Sequence, residues 1–122
     1  PYPTLFRSTG TVTQVAVRLD ITHTWDADVD IFLRSPNNTQ IELSTDNGGG
    51  GQNYRNTYFT ESATVLVTAG VAPFNGMYLP EGNLMSFDGG PANGNWVLTA
   101  ADDLSGFVGI LNAFTLSLCV QP

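Results

Sequence analysis

The sequence predicts an all-β fold, a single antiparallel β-sandwich of jelly-roll type spanning residues 1–122. Three observations predict it. Apolar residues recur with period two, and nowhere do they sustain the i, i+3, i+4, i+7 spacing of a long helix. Clusters of Gly, Pro, Asn and Ser separate the alternating runs at short intervals. The chain is also long enough for one hydrophobic core and too short for two.

Taken in order, residues 1–10 read as a linker remnant, and the abrupt "PYPTLF" start suggests a piece cut from a longer chain. "TVTQVAVRLDI" (11–21) sets Val12, Val15, Val17, Leu19 and Ile21 mostly on one face. "VDIFLR" (29–34) turns Val29, Ile31 and Leu33 one way and Asp30, Phe32 and Arg34 the other. "QIELS" (40–44), "ATVLVTA" (63–69), "NWVLTAA" (95–101) and "NAFTLSLCV" (112–120) alternate in the same way and are expected strands. Trp96 falls on the Leu98 face and reads as core. Between the strands lie turn signals at 35–38, 48–51, 73–76, 89–94 and 105–109. "DNGGGGQNYRN" (46–56) is a long polar loop, a kind more often functional than a plain connector.

Eleven acids face four bases, all arginine (Arg7, Arg18, Arg34, Arg55), for a net charge of −7. That balance argues against nucleic acid and against an anionic membrane surface, and it suits a divalent cation. No apolar run approaches the ~20 residues of a membrane span. Cys119 is the only cysteine, so no intrachain disulfide forms. Its apolar setting, "FTLSLCV", predicts a buried, inert thiol.

The densest chemistry is "HTWDADVDIFLRSP" (23–36), where the lone His23 precedes Asp26, Asp28 and Asp30. Counted as an EF-hand from Asp26, it has acids at positions 1, 3 and 5. It lacks the glycine at position 6 (Ile31) and the glutamate at position 12 (Asn37), so the EF-hand reading fails. As a loop feeding a strand, it puts Asp28 and Asp30 on one side, ~6.5–7 Å apart. Carboxylates so close repel unless a cation or donor sits among them; the plainer reading makes them solvated residues on an open sheet face. A meander of the strands at 11–24, 29–34 and 40–44 would bring loops 25–28 and 45–56 to one end. Asp26 and Asp28 would then approach Asp46, the glycine-run carbonyls and the amides of Gln52, Asn53 and Asn56, oxygen donors of the kind calcium takes. "DDLSG" adds Asp102 and Asp103, whose position relative to that end stays open.

Catalysis has little support. There is no G-x-S-x-G elbow, and His23 beside Trp25 reads as packed or hydrogen-bonded. Glu42, Glu61 and Glu81 are scattered, with no evident carboxylate partner. Trp25, Tyr54, Tyr58 and Tyr78 allow a sugar-stacking platform, against which core or inter-loop packing is the commoner role.

From about residue 11 to 120 the chain resembles the P domain (Homo B domain) that follows the catalytic domain in kexin- and furin-like subtilisin proteases. The first half of the resemblance is "DITHTWDADVDIFLRSPNNTQIEL". The second is the spaced series Gly76, Tyr78, Pro80-Glu81, Leu84, Phe87, Asn93-Gly94, Trp96, Leu98, Asp102, Gly106, Gly109 and Leu111. The resemblance implies a jelly roll without an active site, packed on a subtilisin-like catalytic domain in the same chain and supporting its folding and stability. It also implies a secreted protein that binds calcium through acidic loops. Carried over by position, the ligand candidates are Asp28, residues of the 46–61 loop (Asp46, with Asn53 and Glu61 as further ones), and Asp102 with Asp103; the spacing of the acids adds Asp30 and, as a further candidate, Asp26. Two departures stand out: after the "TYF" of the 46–61 loop the chain has Thr60-Glu61, one acid where relatives often carry a pair, and "GFVGIL" has Phe107 and Val108 where they often have an acid. A second functional class stays open, a module binding protein (collagen-like) or polysaccharide substrate.

Overall fold

The computed structural model describes residues 2–102 and 109–122. Among the described residues eight strands form: β1 (Tyr2–Phe6), β2 (Thr11–Thr22), β3 (Val29–Arg34), β4 (Gln40–Thr45), β5 (Tyr54–Phe59), β6 (Gly76–Tyr78), β7 (Gly94–Asp102) and β8 (Ile110–Gln121). They build two four-stranded sheets, ordered β1-β7-β3-β4 and β6-β5-β2-β8. Neighbours pair antiparallel except β5 with β6, which run parallel. The all-β sandwich is therefore as the alternation predicts, and the only helical elements among the described residues are three short 3₁₀ turns.

The alternating residues point where period two requires. Val12, Val15, Val17, Leu19 and Ile21 of β2 are buried, and Val29, Ile31 and Leu33 of β3 oppose them across the sandwich. Trp96 is buried with its ring edge-on to Phe87, centroids 5.2 Å apart. Its indole N–H donates to the Ala92 carbonyl at 3.0 Å, which satisfies the one polar atom it brings into the core.

Four expectations change. Residues 2–6, within the stretch read as linker, form edge strand β1 and pair Tyr2 with Leu98 through Phe6 with Gly94. Residues 63–69 are not a strand but an isolated bridge, Leu66 to Leu79, followed by a 3₁₀ turn over Val67–Ala69. In that segment Ala63 and Val67 are buried while Val65, which a strand would turn the same way, is exposed along with Leu66. β2 and β3 belong to different sheets, so the predicted meander holds only for β3 and β4 and the 23–28 connection crosses between layers. Cys119 is exposed: in β8 Leu116 is buried with Phe114 and Leu118 beside the core, and Thr115, Ser117 and Cys119 face out.

Candidate functional site

The crossing from β2 to β3 packs against the glycine loop at one end of the sandwich. Asp26 N–H donates to the Gly51 carbonyl at 2.9 Å and Ala27 N–H to the Gly49 carbonyl at 3.1 Å, while Gly51 N–H closes the loop onto the Gly48 carbonyl at 2.9 Å. Gly48 has φ +91°, and a Cβ there would stand 2.8 Å from the Asp26 Cβ and 3.0 Å from the Phe74 ring. Only glycine combines that backbone with that closeness. A 3₁₀ turn over Asp26–Asp28, closed by Asp28 N–H on the Trp25 carbonyl at 3.1 Å, draws both carboxylates inward. Asp28 therefore lies before the strand, and the expectation that it shares the outer strand face with Asp30 does not hold.

Asp26 has 0% exposure, and neither of its carboxylate oxygens has a hydrogen-bond partner. Burial pushes its pKa up to about 7, outweighing the opposite pull of the Asn53 backbone N–H, then of His23 and Arg55. Asp28 is 4% exposed with Oδ2 unpartnered. Two adjacent buried carboxylates without full partners are the unexplained feature of this fold, because such groups are normally paired, protonated or metal-bound.

The other candidates spread around this end. Asp30 is half-buried on β3, in register with Thr45 and Ala101. Asp46 is exposed, with a left-handed backbone at φ +57°. Asn53, also left-handed at φ +71°, accepts from His23 N–H at 3.0 Å through Oδ1 and donates its own N–H to the His23 carbonyl at 3.1 Å. Asn56 accepts from Arg18 Nε at 2.7 Å. Asp102 pairs in register with Val29, so the acidic end of β7 does reach the same end as Asp28. Asp103, Phe107 and Val108 lie outside the described residues. Glu61 sits elsewhere, in a groove beside Leu66 and Leu84. Among the described residues, no three His, Cys, Asp or Glu side chains gather as metal ligands. An ion here would draw most of its donors from carbonyls, amides and water.

His23 and Asp102 form a pair that spacing alone does not reveal. His23 is 2% exposed, its Nδ1 accepts from Trp25 N–H at 2.9 Å, and its Nε2 meets Asp102 Oδ2 at 2.8 Å. Because Nδ1 is an acceptor, Nε2 carries the proton and donates to the carboxylate. The pair ties the end of β2 in one sheet to the end of β7 in the other. With both nitrogens occupied and the ring buried, His23 has none left to activate a nucleophile.

A second association was equally hidden: Thr45 Oγ1 contacts Glu42 Oε2 and, at 3.2 Å, Glu81 Oε2, while Thr45 N–H donates to Glu81 Oε2 at 2.6 Å. Of the aromatic residues, Tyr54 stacks on Phe74 in the core at 4.8 Å and Tyr78 meets Phe74 edge-on at 5.8 Å. Trp25 and Tyr58 alone of the four suggested platform residues are exposed, at 44% and 37%.

The family model described as the proprotein convertase P-domain matches residues 12–118, nearly the whole chain. No curated protein and no solved structure matches it.

Proposed function

This chain belongs to the proprotein convertase P-domain family, and from that premise we propose that it is the non-catalytic accessory domain of a secreted subtilisin-like serine protease, supporting the folding and stability of the catalytic domain and binding calcium. The accessory role follows from the family. The calcium reading is carried by one observation, the buried and unpartnered carboxylate oxygens of Asp26 and Asp28.

The residues at that end fit a hard cation. Asp26 and Asp28 supply carboxylates, Asp46 and the carbonyls of the 47–51 run lie in the adjoining loop, and no sulfur or free imidazole competes. Calcium bound there would supply positive charge that offsets the desolvation of the carboxylates. The protein's own part is to pin the loop: Asp26 and Ala27 N–H on the glycine carbonyls, Asn53 on both backbone groups of His23, and His23 on Asp102. The packed His23 also supports the non-catalytic reading.

The test is thermal. Calcium that binds only the folded chain raises the melting temperature by an amount that grows with its concentration, and Asp28→Asn abolishes the response. A melting curve that EDTA and millimolar calcium leave unmoved removes the calcium reading.

A further inference from the structure

We propose that the groove between the 61–66 and 79–85 segments is a docking site for a peptide segment carrying an arginine or lysine side chain next to an apolar residue. Buried Leu84 and Pro80 form its floor, and Leu66 and Met85 flank it at 50% and 56% exposure. Its volume is about 300 Å³. That is the low end for ligand sites, room for one long side chain rather than a larger molecule.

Two carboxylates and Asn83 are the polar residues lining this mostly aliphatic groove. Glu61 has Oε1 out of water and without a hydrogen-bond partner. Glu81 is held on the rim by Thr45 N–H at 2.6 Å and Asn47 Nδ2 at 3.1 Å. The charge of Asp88 also acts on Glu61, adding to burial in raising its pKa. Among the described residues, no arginine lines the groove to answer them. Arg18 is committed to Asn56 and Asp20, Arg55 to Ile21 and Thr22, and there is no lysine.

An uncompensated carboxylate at the end of an apolar trough selects a ligand with an apolar stem and a cationic head. Arginine and lysine side chains have that form, and guanidinium adds a planar fork suited to a carboxylate. A bare divalent ion fits poorly, because the aliphatic lining cannot furnish six to eight oxygens. The exposed Leu66 and Met85 then give an apolar neighbour on the same peptide a surface to cover.

The experiment is an NMR titration of the ¹⁵N-labelled chain with N-acetyl-leucyl-arginine amide, using N-acetyl-leucyl-citrulline amide as the uncharged isostere. Saturable shifts are expected at Glu61, Leu66 and Met85, with affinity about fivefold lower for the citrulline peptide and a similar loss in Glu61→Gln. Should Glu61→Gln fold poorly, Glu81→Gln and Leu66→Ser carry the same comparison. Equal affinity for the two peptides, shifts confined to other surfaces, no saturable shift, or calcium chloride reproducing the shifts and displacing the peptide would each overturn the proposal.

Discussion

Asp26→Asn tests the energetics of the buried loop most sharply. The folded chain holds this carboxyl near pKa 7 against an ordinary 3.8, through burial. Both states are protonated below pH 3.8, so the folded state carries no penalty there. As pH rises from about 4 to 7 the unfolded chain ionises first, and metal-free stability falls across that window before levelling off above it. At 1.36 kcal/mol per pH unit the loss attributable to Asp26 reaches ~4 kcal/mol, an upper figure because local relaxation lowers it. Asparagine keeps the shape and cannot ionise. In EDTA the variant should match the parent near pH 4 and exceed it by ~2–4 kcal/mol at pH 8. Calcium should narrow that difference by stabilising the ionised parent. Urea unfolding at pH 4, 5, 6, 7 and 8, with and without calcium, provides the curves. A parent-minus-variant difference that stays constant from pH 4 to pH 8 in EDTA would refute the reasoning.

Further outcomes follow from the same contacts. His23→Ala removes the acceptor of the Trp25 N–H and the donor to the Asp102 carboxylate and should lower stability by ~2–3 kcal/mol in urea melts, while hydrolysing no substrate before or after. Gly48→Ala forces a side chain into 2.8 Å of Asp26 at φ +91° and should cost more than ~1 kcal/mol by the same assay. Trp96→Phe strands the Ala92 carbonyl and leaves a small void, for ~1–2 kcal/mol. Cys119 should react with a thiol reagent in the native state, without denaturant.

Much of the fold was legible because period two and burial coincide on long strands. β2, β3, β4, β7 and β8 lie within one or two residues of where the alternation puts them. β5 escaped notice because Tyr54, Thr57 and Phe59 face inward from a run otherwise as polar as the loop before it, and β6 has three residues, too few for a pattern. Cys119 was misplaced because a uniformly apolar run hides which face is inward, and edge strand β8 presents one side to solvent. At the site, the meander argument brought Asp26 to the glycine run, and the Asp26 backbone does meet it, although β2 and β3 lie in different sheets and Asp28 bonds to Trp25 instead. The 3₁₀ turn that buries both acids leaves no period-two trace. The His23–Asp102 pair, 79 residues apart in sequence, is set by how two sheets stack, which no local pattern encodes.

The accessory role is tested most directly by the parent protease produced with and without residues 1–122, comparing its melting temperature in calcium and its secreted yield. Removal should lower both, with the calcium-dependent part of the melting temperature falling as well. An unchanged melting temperature and yield, or a parent gene that encodes no protease, would contradict it.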